Sequence, residues 1–424
     1  MYRTTVNNLN AYIAEFGITA FKNQAYHYSK AHTYSCILDS CNLGSNTCHS
    51  KYEFLAAFGA EICLNNLDTI AQYNDHWLFG ILGYDLKNSF EQLSSSNPAT
   101  IHTPDILFFV PETIIAIDKQ HHASILKGHL PKAFWDKPKA SPAHNISAAI
   151  NPLSKVNYLN QIQEIQYLIK QGEVYELNFC VNHLHAYTSF SPIDFQLKLN
   201  QHSPVPMAAY LKAGHLHLCG ASMERFLSRE KNTLISQPIK GTIRRGKTAY
   251  EDEILKKQLE SSEKDRAENV MIVDLVRNDL NRICNTGTVH VAELFGIYSY
   301  PQVHQMISTV QGTQKPESTL SDVLQSTFPM GSMTGAPKIA AMNYIEELES
   351  FKRGWYSGSL GYIDPNGNFD FNVVIRSLLC DTHDQKISYS AGGAITIDSV
   401  AENEWEEIQL KTKAIHEILT ESQP

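Results

Sequence analysis

The sequence predicts an α+β fold with antiparallel strands, and three observations carry that reading. Short apolar runs bounded by Gly, Pro, Asn and Ser recur through the chain and read as strands. The stretches 358–363 and 369–379 flank Asp364-Pro365-Asn366-Gly367, a strong hairpin turn. Amphipathic helical stretches occur between groups of strands, without the regular alternation of a parallel βαβ protein.

The elements follow in chain order. Residues 35–40 and 106–110 read as buried strands, and 77–85 as another that is interrupted by two glycines. Glycine inside a strand marks a bulge or a close backbone approach. Residues 131–152, PKAFWDKPKASPAHNISAAINP, are proline-punctuated without apolar periodicity and read as a linker or surface loop. They divide an N-terminal α+β part, 1–130, from a larger catalytic part, 153–424. The second part opens with a helix that places Leu159, Ile162, Ile165, Leu168 and Ile169 on one face and stops at Gly172. A strand over 174–181 follows, and strands over 215–220 and 233–236 flank a turn. Residues 250–280 read as mostly helical. After the hairpin, 386–397 reads as a strand broken by Gly392-Gly393. The helix expected over 401–419 has capping-box spacing at Ser399 and Glu402.

Composition bounds the function. With 424 residues the chain can bury a large core and form two or three domains. A hydrophobic fraction of 43% and a charged fraction of 19% are those of a soluble globular protein. The formal charge of -9 argues against a nucleic-acid partner. It also requires a local positive pocket for any anionic substrate. Met1 to Val6 do not start a signal peptide, and no apolar run of about 18 residues could span a membrane, so a cytoplasmic protein with no membrane partner is expected. The eight cysteines include no C-x-x-C pair and are expected to be reduced. The spacing of Cys36, Cys41, Cys48 and His49 does not match the usual zinc fingers.

Several residue groups could carry chemistry. Lys240, between Ile239 and Gly241, has an apolar flank that should lower its pKa and free its amine as a nucleophile. Asp265 and Glu268 are three apart on an expected helix, as are Glu404 and Glu407, with Lys411 one turn further. Two such helices facing each other could hold Mg²⁺, which takes carboxylate oxygens, waters and substrate oxygens. Glu224 stands at a strand end between Met223 and Arg225, close to Phe226. Such surroundings raise a carboxyl pKa and suit a general acid. Gly331-Ser332-Met333-Thr334-Gly335-Ala336-Pro337-Lys338 enters a helix but lacks the G-K-[ST] of a phosphate loop. Gly392 and Gly393 would let a ligand carboxylate reach the backbone. Arg376 inside a strand needs an anionic partner. His304 fits either a satisfied core histidine or a polar ligand to a substrate hydroxyl. Each group alone also fits an ordinary structural or solvated role.

Together these stretches resemble the chorismate-utilising enzymes over roughly 155–420. The runs SEKDRAENVMIVDLVRNDLNRIC, FPMGSMTGAPK, RGWYSGSLGYI with FNVVIRSL, and SAGGAITIDSVAENEWEEIQLK match that family in order. The first part is similar more loosely, through Leu38-Asp39-Ser40 and Gly80 to Asp85. The resemblance implies antiparallel sheets packed together with helices outside, the sandwich of anthranilate synthase component I. It implies Mg²⁺ on Glu268 and Glu407, supported by Asp265 and Glu404. It places Tyr356, Arg376 and the Gly392-Gly393 backbone on the enolpyruvyl carboxylate of chorismate. Ser332, His304 and Lys411 would line the ring, and Glu224 would help the C4 hydroxyl leave. Asp265 departs from the glutamate common in relatives.

The resemblance also implies a reaction. Family members with Pro-Ile-Lys-Gly-Thr, as at 238–242, are the aminodeoxychorismate synthases, whereas anthranilate synthases resemble Pro-Ile-Ala-Gly-Thr there. Lys240 would then attack C2 of the ring, and ammonia would add at C4, making the enzyme a transferase on the way to 4-aminobenzoate and folate. Isochorismate and salicylate synthases place a lysine where this chain has Glu176, so water activation is not expected. No G-x-C-x-G glutaminase motif is present, so ammonia from glutamine implies a separate amidotransferase subunit. Anthranilate synthesis and a non-catalytic role on the same scaffold are the alternatives.

Overall fold

A computed structural model describes residues 9–43, 51–137, 144–150 and 152–421. Cys48 and His49, the first eight residues and 138–143 of the expected linker lie outside the described residues.

Two large sheets are built from neighbouring strands that pair antiparallel. The first runs, from one edge, through Gly335–Ala336, Glu176–Ser189, Lys386–Ile395, Ser377–Asp381, Leu216–Ser222, Met207–Ala213, Tyr34–Asp39, Tyr52–Phe58, Thr113–Asp118 and Ala123–Lys127. The second runs through Ile239–Arg244, Val303–Thr313, Thr233–Gln237, Arg225–Glu230, Phe369–Val373, Ser359–Ile363, Leu78–Leu82, Ile106–Val110 and Ile62–Leu64. Alternation of side chains sorts the apolar residues between layers. In Tyr52–Phe58, Leu55 and Ala57 join a cluster with Phe79, Ile81 and Leu360 of the other sheet. Phe54, Ala56 and Phe58 point the opposite way, towards Phe21 and Tyr26 of the Ile18–Tyr28 helix. The core is therefore double: one layer between the sheets, and further layers beneath helices on the outer faces. This is the antiparallel sandwich with helices outside that the sequence predicts.

Both sheets draw strands from either side of residues 131–152. Tyr34–Asp39 pairs with Met207–Ala213, and Leu78–Leu82 pairs with Ser359–Ile363. The expected division at 131–152 therefore does not separate two cores. Its described part is not simply loop either, since Phe134 is fully buried among Phe21 and Tyr28.

Local expectations meet the structure with four differences. The 250–280 stretch is two helices, Ala249–Glu260 and Glu263–Ile283, because Ser262 caps the second by accepting the Asp265 N–H at 3.3 Å. The strand 386–397 is not broken at its glycines; Lys386–Ile395 pairs continuously, with Gly392 opposite Cys180 and Gly393 opposite Phe179. The stretch 369–379 is not one strand. It leaves the second sheet after Val373 and enters the first at Ser377, with Arg376 at φ 50° in the crossing. The Ala401–Thr420 helix has Val400 as its N-cap without a side-chain cap, so Ser399 and Glu402 form no capping box. The Ser399 hydroxyl instead accepts the Thr396 N–H at 3.2 Å. The hairpin turn matches the expectation: Gly367 takes φ 74°, and Asp364 Oδ1 accepts the N–H groups of Asn366 and Asn368, each at 2.9 Å.

Candidate active site

The candidate site lies where the edge of the second sheet meets the first sheet one strand in from its own edge. Lys240 sits on Ile239–Arg244 of the second sheet and Glu176 on Glu176–Ser189 of the first. Their side chains join across the gap, Lys240 Nζ to Glu176 Oε1 at 2.7 Å. Gly241 follows with φ 91°, and a Cβ there would come within 3.0 Å of Asp265. That close approach brings the strand against the Glu263–Ile283 helix, so Asp265 and Glu268 come to the lysine. Burial alone would lower the Lys240 pKa, but the charges of Glu176, Glu268 and Glu224 outweigh it and the net shift is upward. The expectation of a depressed lysine is therefore wrong for the resting site. Its apolar flanks are real, but three carboxylates surround the amine.

Glu224 lies in the turn after Leu216–Ser222 and is 5% exposed. Burial pushes its carboxyl up to about 7, against the opposing pull of Ser332 and Lys240. The buried Ser332 hydroxyl faces that carboxyl. Ser332 is placed by a short 3-10 turn, Gly331–Met333, which packs directly on Ile272 and Leu275 of the Glu263–Ile283 helix.

The Ala401–Thr420 helix supplies the second carboxylate pair. Lys264 Nζ stands 3.8 Å from Glu268 and 4.0 Å from Glu404, so one ammonium touches both helices. Burial and the Glu407 charge raise the Glu404 pKa. Burial also raises Glu268, against the pull of Lys240 and Lys264. Glu407 goes the other way: burial opposes it, but the Lys411 ion pair at 2.5 Å holds its pKa down. Lys411 also donates to the Gly392 carbonyl at 2.7 Å. A Cβ on Gly393 would lie 3.3 Å from Glu404 Oε2 and 3.9 Å from both Glu407 Oε1 and Lys411 Nζ. Among the described residues, no three such side chains already converge as a ligand set. The donor chemistry nevertheless fits Mg²⁺, which takes one or two carboxylates and completes its shell with waters and substrate oxygens. A divalent cation would offset the burial that raises Glu268 and Glu404.

Arg376 and Tyr356 adjoin the Ala401–Thr420 helix. Arg376 donates to the Lys411 carbonyl at 3.2 Å, and burial lowers its pKa. The Tyr356 hydroxyl lies 3.7 Å from Cys180 Sγ, beneath Gly392. Behind it, Glu349 and Arg353 form a fully buried ion pair at 2.5 Å.

His304 is not brought into this group. It is 1% exposed, with Nδ1 against Ser299 Oγ at 2.7 Å and Nε2 against Asp252 Oδ1 at 3.0 Å. Its neighbour Gln305 points to the other face of the same strand, where its amide reaches the Met223 sulfur beside Glu224. The Gln305 carbonyl oxygen is buried without a partner. Sequence reading missed Gln305 because adjacent strand residues face opposite ways and only the register says which faces the site. It also passed over the Glu176–Lys240 contact, which joins residues 64 positions apart.

Known proteins share this chain's sequence family and fold. Residues 32–417 match the model of the chorismate binding enzyme family. Aminodeoxychorismate synthase component 1 of Escherichia coli is 34% identical over 77% of this chain and 73% of its own length. The chloroplastic aminodeoxychorismate synthase of Arabidopsis thaliana is 38% identical over 79% of this chain, which spans only 39% of that longer protein. Anthranilate synthase component 1 of Saccharolobus solfataricus is 34% identical over 80% of this chain and 79% of its own. The crystal structure of anthranilate synthase component I from Streptococcus pneumoniae superposes with a TM-score of 0.74 at 25% identity, over 87% of this chain and 93% of that one. The Escherichia coli isochorismate synthase MenF shares the fold with a TM-score of 0.76 at 16% identity, over 93% and 91% of the two chains. Two carboxylate-bearing helices, a buried acid and a buried lysine thus sit on a shared scaffold, and this chain belongs to the chorismate binding enzyme family.

Proposed function

We propose that this protein converts chorismate and ammonia to 4-amino-4-deoxychorismate, a precursor of 4-aminobenzoate. The observation that carries the reading is Lys240, buried at 9% exposure among Glu176, Glu224 and Glu268. Relatives named aminodeoxychorismate synthase at 34% and 38% identity support it. In this reading Arg376 and Tyr356 hold the enolpyruvyl carboxylate, and the Gly392-Gly393 backbone gives it room. Mg²⁺ on Glu268 and Glu407, with Asp265 and Glu404 in support, would supply positive charge to the ring carboxylate. The Lys240 amine adds to C2 as Glu224 delivers its proton to the departing C4 hydroxyl. Ammonia then adds at C4 and expels the lysine, and Glu224 recovers a proton from the new ammonium.

Anthranilate synthesis is the second reading, favoured by relatives of that name at comparable identity. The test is purified protein with chorismate, Mg²⁺ and ammonium, the product identified by mass and absorbance. Aminodeoxychorismate is expected; anthranilate with pyruvate would reject the reading, and no turnover would point to a non-catalytic homologue. Quenching turnover without ammonia should trap a covalent adduct on the Lys240 peptide. With glutamine in place of ammonium the chain alone should stay inactive, because it carries no glutaminase motif and a partner amidotransferase is expected.

A further inference from the structure

The buried ion pair between Glu176 and Lys240 has no part in the reaction above. Glu176 Oε1 and Lys240 Nζ are 2.7 Å apart, with side chains 5% and 9% exposed. A nucleophilic amine must be neutral when it attacks. In the resting site the amine is instead held as the ammonium partner of Glu176, in a buried ion pair with a direct hydrogen bond. The proton must therefore go to a neighbour as the amine adds. Glu224 is unsuited, since it must itself be protonated to deliver a proton to the C4 hydroxyl. Glu268 and Glu407 belong to the carboxylate set between the helices, where Lys264 and Lys411 are their ion-pair partners. Glu176 alone among these carboxylates has a hydrogen bond to the amine. Its position is fixed by the strand, where Ala336 pairs with it and Leu177 is locked by Gly335 and Ile395.

We propose that Glu176 is a positioning residue that acts through Lys240 as its proton acceptor. The inference rests on the reaction proposed above. Lys240 ammonium and Glu176 carboxylate become amine and carboxylic acid. The N–C2 bond forms, the ring double bonds shift, and the C4–O bond breaks, with the Glu224 proton leaving in water. Ammonia forms the C4–N bond while the C2–N bond breaks and its electron pair returns to Lys240. The surplus proton on the C4 ammonium goes to Glu224, and Glu176 returns its proton to Lys240. The balance is chorismate plus ammonia to aminodeoxychorismate plus water. Because the pair keeps one proton throughout, the lysine need not lose it to solvent, and Lys240 itself adds no pH dependence to the attack near neutrality.

Two variants separate this from a structural ion pair. Glu176→Gln keeps the shape and a hydrogen bond to the amine but accepts no proton; Glu176→Asp keeps the acid on a shorter arm. The first readout is carbamylation of Lys240 by cyanate against pH, measured by mass spectrometry of its peptide in protein without substrate. Removing one adjacent negative charge should make Lys240 about tenfold or more reactive at pH 7 in Glu176→Gln, one pKa unit being a factor of ten. The second is kcat/KM against pH. Wild type and Glu176→Asp should lack an acid limb set by Lys240, and Glu176→Gln should gain one that rises with pH. Identical cyanate and kcat/KM profiles in wild type and Glu176→Gln would overturn the proposal. A shifted cyanate profile with no aminodeoxychorismate from any form would instead keep the ion pair and overturn the reaction assigned to it.

Discussion

Glu224 shows how far single residues could be read before the structure. The sequence offered its apolar neighbours, Met223 and Phe226, and burial does push its carboxyl up to about 7. As the group that gives a proton away, it works in its acid form. That form is lost as pH rises through its raised pKa, so kcat/KM should fall above about pH 7. Glu224→Gln should remove that alkaline limb and cost on the order of 10²–10⁴-fold in kcat, while chorismate still binds. An unchanged alkaline limb in the variant would assign the acid elsewhere. Lys240 is the contrary case. Its local sequence is apolar, and local sequence is all that pattern reading sees. The carboxylate that fixes its charge, Glu176, arrives from another sheet, and the shift has the opposite sign. His304 and Gln305 differ for a related reason: both are buried polar residues on one strand, and only the pairing decides which one turns to Asp252 and which to Met223.

At the level of elements, what the sequence made legible was what is local. The pairs Asp265/Glu268 and Glu404/Glu407 were readable because i,i+3 spacing fixes a shared helix face. What faces those helices was not readable from spacing. Chelation by EDTA should abolish turnover and added Mg²⁺ should restore it. Glu268→Gln and Glu407→Gln should each lose most activity with near wild-type thermal unfolding, since shape is kept and only a ligand charge goes. Full activity of both variants would remove the metal from these helices. The two adjacent glycines make a sharper contrast, because strand alternation gives them opposite surroundings. A methyl on Gly392 would collide with Cys180 Sγ and sit 2.6 Å from the Phe179 carbonyl oxygen. Gly392→Ala should therefore destabilise the fold by about 1–3 kcal/mol, as overpacking does. A methyl on Gly393 meets nothing closer than Glu404 Oε2 at 3.3 Å and points among Glu404, Glu407 and Lys411. Gly393→Ala should leave the melting temperature close to wild type and raise KM. Equal melting temperatures for the two variants would contradict this placement.

Over the whole molecule, the sandwich class was legible and the division of the chain was not. Proline punctuation at 131–152 signals a surface excursion, and composition cannot tell an excursion between domains from one within a single fold. The strand pairing can. In the first sheet, Tyr34–Asp39 lies between Met207–Ala213 and Tyr52–Phe58, with six residue pairs to the former. In the second, Leu78–Leu82 covers Ser359–Ile363 through five residue pairs. The layer between the sheets mixes Cys36, Leu55, Phe79 and Phe109 from the first part with Leu211, Leu218, Trp355 and Leu360 from the second. Removing residues 1–152 would strip both sheets to raw edges and expose that layer. Unpaired apolar edges associate with other chains. A 153–424 fragment should therefore aggregate or fail to unfold cooperatively, although it carries the residues assigned to chorismate and Mg²⁺. Co-expressed with a 1–152 fragment it should recover a soluble complex, because the cut leaves every described strand and helix whole. Sedimentation and thermal unfolding of the fragment alone decide the matter. A monomer with one sharp transition would show that the catalytic part is an independent domain and that the shared sheets are not what holds the site together.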